Sequence, residues 1–317
     1  MLKKRYFFLV LLVLSCCSLF VGVADFSPAA LMSLEQNELE LLLISRLPRL
    51  ISILITGMGM AIAGLIMQQL SQNRFASPST AGTMEAASLG VLTALIFFGS
   101  ASMLQKMLLA FFFALVGTWI FIWILDNLVY KDALFVPLIG LMIGRVIAAV
   151  TTFFAYQYDL LQSLNAWLYG DFSAVLRGRY ELLYLGIPAV ILAYIYANRF
   201  TIAGFGEDFS ANLGLNYYKI RYIGLGIVAL VTSVVVLTVG EIPYIGLVVP
   251  NLITLMRGDN VKANIPYTAL AGAILTLVCD MIGRLLLYPY EISVGLIIGG
   301  VGSAVFLFFI VRRKIYA

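Results

Sequence analysis

Leu47-Pro-Arg-Leu-Ile-Ser-Ile-Leu-Ile-Thr-Gly57-Met-Gly59-Met-Ala-Ile-Ala-Gly64-Leu-Ile-Met-Gln-Gln-Leu70 decides the fold. From Leu50 to Leu70 no side chain carries a charge. That is enough for one bilayer crossing, which takes roughly 20 apolar residues as a helix. Gly57, Gly59 and Gly64 are small residues of the kind that let membrane helices approach closely. Polar residues 71–81, with Pro78, then break the segment.

The same reading extends in both directions. Apolar segments cover about 6–24, 83–98, 104–125, 133–156, 180–198, 217–240, 265–288 and 292–311. A further one, 244–256, is apolar but short and contains Pro250. Residues 157–179 are mixed and read as an interfacial amphipathic piece. Composition agrees: 62% of the 317 residues are hydrophobic and 11% charged. A soluble domain carries roughly 25% charged residues, so no water-soluble fold fits. The segments are apolar all round and lack the period-two alternation of a transmembrane barrel. The expected fold is an all-α membrane protein of about ten segments, one domain over residues 1–317. The first run, 6–24, reads as a retained helix, although Val-Gly-Val-Ala before Asp25 also has the pattern of a signal-peptide cleavage site.

Ten segments put both termini on one side. If that side is the cytoplasm, its loops hold Lys3, Lys4, Arg5, Arg74, Lys131, Arg199, Lys219, Arg221, Arg257, Lys262, Arg312, Arg313 and Lys314, which is 13 of the 20 Lys and Arg. The bias follows the positive-inside rule. Arg46, Arg49, Lys106, Arg177, Arg179 and Arg284 are its exceptions, at outer helix ends. Asp25, Glu35, Glu38 and Glu40 make the first outer loop acidic. Segments 2–5 and 7–10 form two blocks of four, each with a short second member. Five segments separate corresponding members, so the blocks run in opposite directions. An inverted repeat with short helices in matching places is a transporter pattern.

Four constellations carry chemistry. Arg46-Leu-Pro-Arg49 and Arg284 are either interfacial anchors or forks for a partner's carboxylates. Gly204-Phe-Gly-Glu-Asp-Phe-Ser-Ala-Asn-Leu-Gly214-Leu reads as a short cytoplasmic helix, with Glu207 and Asp208 in its first turn and Gly214 as its stop. It would lie on the membrane or dock into a soluble partner. Glu85 and Arg145 are charges inside spans, where charge is costly and faces a cavity or a partner. Asp280 and Arg284 are spaced to pair one helical turn apart. There is no nucleotide-binding loop, no nucleophile–base pair and no histidine, and Cys16, Cys17 and Cys279 have no zinc spacing. The chain is not expected to be an enzyme or to hold a metal, and nothing in it points to nucleic acid.

Four motifs in order resemble the FecCD-type permeases of type II ABC importers, which take up iron–siderophores, haem and cobalamin. The first is Arg46-Leu-Pro-Arg49 through Gly64-Leu-Ile-Met-Gln68-Gln69, Asn73 to Pro78 and Gly82. The others are Gly206-Glu207-Asp208 to Leu213-Gly214-Leu215, Gly240-Glu-Ile-Pro-Tyr-Ile-Gly246-Leu-Val-Val-Pro250-Asn251, and Asp280 to Arg284 with Glu291 and Gly295. The resemblance implies a permease subunit of a bacterial cytoplasmic membrane, moving ferric siderophores by alternating access. Gly206, Glu207, Asp208, Ala211, Leu213, Gly214 and Leu215 would form the coupling segment (about 205–215) on one of two cytoplasmic ATPase subunits, which bind the ATP. Arg46, Arg49 and Arg284 would meet a siderophore-binding protein outside. Glu85, Arg145 and Asn251 are the candidate pathway residues. Asn251 stands where most of the family has His, and Gly299-Gly300-Val-Gly-Ser303 replaces a Gly-Gly-Pro. Both departures resemble the FatD/YclN-like siderophore branch, which implies a heterodimer with a second permease, a homodimer being the alternative. Cobalamin or haem import, and an ion-gradient-driven transporter of another class, are the competing readings.

Overall fold

The computed structural model of the chain describes residues 4–22, 40, 42–98, 102–128, 135–176 and 180–313, with the side chains of 308–313 excepted. Lys3, Asp25, Glu35, Glu38, Lys131, Arg177, Arg179 and Lys314 therefore lie outside the described residues, as do the side chains of Arg312 and Arg313.

Among the described residues, a helix falls on each of the ten apolar segments. The helices are α1 (Lys4–Phe20), α2 (Leu47–Leu70), α3 (Thr83–Phe97), α4 (Met103–Asp126), α5 (Phe135–Gln157), α7 (Gly186–Ala203), α9 (Tyr217–Thr238), α10 (Ile245–Arg257), α11 (Val261–Leu286) and α12 (Val294–Arg313). Two short helices stand between them, α6 (Leu161–Leu168) and α8 (Glu207–Asn212). A π-helical turn, Leu42–Arg46, leads into α2, and a 3₁₀ turn, Glu181–Leu185, leads into α7. The expected span at 180–198 is thus present as Glu181–Ala203, its first turn 3₁₀ and the α-helix proper beginning at Gly186. Among the described residues, six helices are long and apolar enough to cross a membrane: Leu42–Leu70, Met103–Asp126, Phe135–Gln157, Glu181–Ala203, Tyr217–Thr238 and Val261–Leu286. Thr83–Phe97, Ile245–Arg257 and Val294–Leu307 are shorter apolar helices.

Local chemistry sets the boundaries. Pro48 stands in the first turn of α2, where its missing N–H costs nothing. Ser102 caps α4 reciprocally with Gln105, and Asn216 and Asn260 cap α9 and α11 through the N–H groups of Lys219 and Ala263. The short helices α3 and α10 each start after a left-handed residue, Gly82 at φ 77° and Tyr244 at φ 65°.

α2 and α9 form the core, each 78% buried over its apolar window. α2 packs on α11, α10, α9 and α7, and α9 packs on α4, α7, α2 and α3. The reciprocity is informative. The first helix of each four-helix block packs against the third helix of the other block, α2 on α11 and α9 on α4. It packs also against the other block's short helix, α2 on α10 and α9 on α3. That is the contact pattern of an inverted repeat.

Small residues set the closest approaches. A Cβ at Gly57 would stand 2.6 Å from the Gly272 carbonyl oxygen on α11. One at Gly64 would overlap the Gly246 backbone on α10.

Candidate functional site

At the end of the bundle where α2 begins, three arginines converge. Arg49 reaches across to α11 and beyond it, with Nη2 2.8 Å from Asp280 Oδ1 and Nη1 2.8 Å from Glu291 Oε2. Arg284 pairs with Asp280 from one turn further along α11. Its Nη1 also donates to the carbonyls of Ser18 at 3.1 Å and Val21 at 2.8 Å. Arg46 Nη1 donates to Leu19 O at 3.2 Å and Val21 O at 2.5 Å. The last carbonyls of a helix have no partner within it, and here two guanidinium groups satisfy those that end α1. Asp280 is fully buried, and the Arg49 and Arg284 side chains are 12% and 4% exposed. In the chain by itself these arginines are therefore turned inward, joining α1, α2 and α11.

At the opposite end, α8 projects between α7 and α9. Gly206 sets it off at φ 102°, and Glu207 and Asp208 occupy its first turn, where the helix dipole favours acid. Ser210 is buried and its Oγ donates to Gly206 O at 2.8 Å. Tyr218 on α9 donates to Glu207 Oε2 at 3.0 Å. Gly214, at φ 73°, stops the helix, and its N–H bonds Ala211 O at 2.9 Å. Leu215 turns back onto the core, whereas Phe205 and Leu213 are 65% and 55% exposed. Phe209 is also exposed, its ring 5.1 Å from that of Phe205. Behind α8 lies a polar cavity of about 170 Å³, lined by Gln68, Gln72, Arg74, Thr201, Phe205 and Asp259 among others. Arg74 closes its rim with a two-pronged pair to Asp259 at 2.9 and 3.1 Å. Asn251 is drawn into the same corner: its amide donates to Arg74 O at 2.7 Å and Leu247 O at 2.8 Å. It therefore does not join the other candidate pathway residues.

Those two, Glu85 and Arg145, lie near each other across the α3–α5 contact without pairing. A Cβ at Gly144 would be 3.1 Å from Glu85 Cδ, so the carboxyl group lies on the α5 backbone beside Arg145. Arg145 itself is exposed on an otherwise apolar stripe with Met142, Val146 and Phe153. An arginine amid an exposed apolar stripe is costly to place in lipid. A third charge that the sequence reading did not single out completes the group. Glu241 Oε1 is 3.0 Å from Ser88 Oγ on α3. Its signal was present in the sequence: Glu241 is the lone charged residue between Arg221 and Arg257, as Glu85 is between Arg74 and Lys106.

A helical bundle with an inverted repeat, an exposed short helix at one end and three charges clustered within its apolar helices and their junction defines a membrane transport subunit. Residues 10–312 match the family model "FecCD transport family", and the chain belongs to that family. It is 54% identical over 316 residues to the petrobactin import system permease protein YclN of Bacillus subtilis, covering 100% of each chain. To the ferric-anguibactin transport system permease protein FatD of Vibrio anguillarum it is 40% identical, covering 96% of this chain and 97% of that one. The fold matches a solved structure described as an inward-facing metal-chelate type ABC transporter, with a TM-score of 0.81 at 22% identity over 98% of both chains.

Proposed function

We propose that this protein is a permease subunit of an ATP-driven importer that carries ferric siderophores across a bacterial cytoplasmic membrane. One observation carries the reading: full-length 54% identity to a petrobactin import permease. The chain works as one domain of ten segments, with both termini in the cytoplasm. The short helices α3, α10 and α12 and the N-terminal α1 complete the ten.

In this topology α8 faces the cytoplasm and is the coupling helix. Its exposed apolar side chains, Phe205, Phe209 and Leu213, supply the surface a cleft on an ATPase subunit would bury. Glu207 and Asp208 hold its first turn, while Gly206, Ala211, Gly214 and Leu215 fix its start, packing and stop. The ATPase subunits bind and hydrolyse ATP, and this chain supplies the surface that their motion moves. The Arg145 face of α5 meets the pathway or a second, homologous permease. The departures at Asn251 and Gly299–Ser303 favour a heterodimer.

Arg46, Arg49 and Arg284 lie at the outer end. Their three guanidinium groups, set against Asp280 and Glu291, leave one net positive charge. That field attracts the acidic surface of a siderophore-binding protein, and it is screened over about 8 Å at physiological salt. Direct forks to the partner would have to compete with Asp280 and Glu291.

Pull-down of the tagged protein from mild detergent tests the coupling assignment. An ATPase is expected to co-purify and to be lost when residues 206–214 are replaced by a Gly/Ser linker. A monodisperse protein that never brings down an ATPase, when co-expressed with candidate partners, contradicts it.

A further inference from the structure

Glu85 Oε2 is buried and has no hydrogen-bond partner among the described residues. An orphaned carboxylate oxygen in such a place is expensive and calls for an explanation. The cation beside it is Arg145, one residue beyond the Gly144 backbone on which the Glu85 carboxyl rests. Among the described ion pairs none engages Arg145, whose side chain instead stands out on the α5 stripe. Glu241 is the second carboxylate in electrostatic range of both. Two acids and one base thus face each other across α3, α5 and the segment before α10, with the pairing left open.

The two sides differ in how firmly they are held. The Glu241 backbone is clamped, since its N–H bonds Leu168 O at 3.1 Å and Gly295 N–H bonds the adjoining Gly170 O at 2.8 Å. Its side chain is fixed by Ser88. α5 is only 22% buried over its apolar window and packs chiefly on α3. Glu241 is therefore the anchored member, and the guanidinium on the α5 face is the one that no described ion pair holds. A guanidinium carries five N–H donors in a fork and can bridge two carboxylates at once.

We propose that Glu85 and Glu241 are positioning residues for Arg145, which alternates between closing on the two carboxylates and standing free on the α5 face to meet an anionic metal chelate. The proposal rests on the import reading for its substrate class, but the alternation does not. In the closed pose the guanidinium is neutralised and satisfies Glu85 Oε2. A polyanionic chelate arriving along α5 competes for the same donors, and an uncharged chelate has no comparable claim on them.

Two measurements on the complete importer in proteoliposomes decide it. The first is ATP-driven uptake of ferric petrobactin. Glu85→Gln and Arg145→Gln are each expected to lower uptake about tenfold, and the double variant no further than the worse single one, because each removes the same pairing. Arg145→Lys, which keeps the charge, should retain a third or more of the wild-type rate. Multiplying effects, or singles that import at the wild-type rate with unchanged melting temperature, overturn the proposal. The second measurement needs no substrate. Leu89→Cys and Ala148→Cys, one turn further along α3 and α5, in a background without the three native cysteines and with Glu85 and Arg145 intact, are cross-linked by a short bis-thiol reagent with and without ATP. A yield that changes at least threefold between the two states is expected, and an identical yield overturns the alternation. Wild type that takes up no ferric petrobactin while the cross-link still responds to ATP would instead count against the siderophore reading alone.

Discussion

Asp280→Ala is expected to lose about 3–5 kcal/mol of folded-state stability, the usual cost of stripping a buried ionic group of its partner. The physical reason is that one carboxylate answers two guanidinium groups. Asp280 is fully buried, and it pairs with Arg49 from α2 and Arg284 from its own helix. Without it Arg49 keeps only Glu291, and Arg284 keeps the hydroxyl of Ser18 and the carbonyls that end α1. Two cations would then sit a few ångströms apart with a single half-shielded acid between them. In detergent the melting midpoint should fall by ~10 °C or more. Glu291→Gln, by contrast, removes a partner that is 22% exposed and should shift the midpoint by only a few degrees. Replacing Arg49, Asp280 and Arg284 together by apolar residues of similar volume should be milder than Asp280→Ala, since no unpaired charge remains. An Asp280→Ala protein that melts with the wild type would show that the network contributes nothing to the fold.

Gly64→Val is expected to be as damaging through a different cause. The α2 and α10 backbones touch at Gly64 and Gly246, and a Cβ on Gly64 would overlap the Gly246 carbonyl oxygen and Cα. Backbone has no rotamer to change, so relief requires the two helices to separate. Overpacking ordinarily costs about 1–3 kcal/mol when side chains can adjust; here it should reach or pass the upper end of that range. Because α10 is the short helix of the second block, the displacement also reaches Asn251 and the Arg74 corner behind α8. Lowered yield of monodisperse protein and a fall of several degrees in melting midpoint are the readouts. Gly226→Ala on α9 is the internal control. Nothing lies within 4 Å of a Cβ there, and alanine's better helix propensity, up to about 1 kcal/mol, should leave stability unchanged or raised.

Much of the helical scaffold was legible in the sequence because bilayer length and charge exclusion act locally. Leu47–Leu70, Met103–Asp126 and Val261–Leu286 announce themselves by long apolar runs with few charges, whereas their starts at Ser102 and Asn260 come from the structure. The small exposed helix near 205–215 was legible for the same reason: two acids, an apolar face and a glycine stop fit into one short stretch. Pairings across the bundle were not. Arg49 meets Asp280 at a separation of 231 residues, and no spacing rule reaches that far. The sequence leaves these arginines as interfacial anchors or forks for a partner, and only the fold adds that, in the chain by itself, they also meet its own acids and the carbonyls that end α1. Glu241 escaped for a related reason. It sits in a Gly-Glu-Ile-Pro stretch that reads as backbone punctuation, and only the fold brings its carboxylate to Ser88 on α3. The place of Asn251 likewise depends on the carbonyl of Arg74, which hydropathy does not register.

The central claim is that this permease moves a ferric siderophore under the power of ATP hydrolysed by partner subunits. The most direct measurement is uptake of ferric petrobactin into proteoliposomes holding the permease pair, its ATPases and the binding protein. Uptake should require ATP inside the reach of the ATPases, persist when proton and sodium gradients are collapsed, and vanish when residues 206–214 are replaced by a Gly/Ser linker. Uptake that continues without the ATPase subunits and stops when a gradient is dissipated would contradict the account and make the protein a gradient-driven transporter.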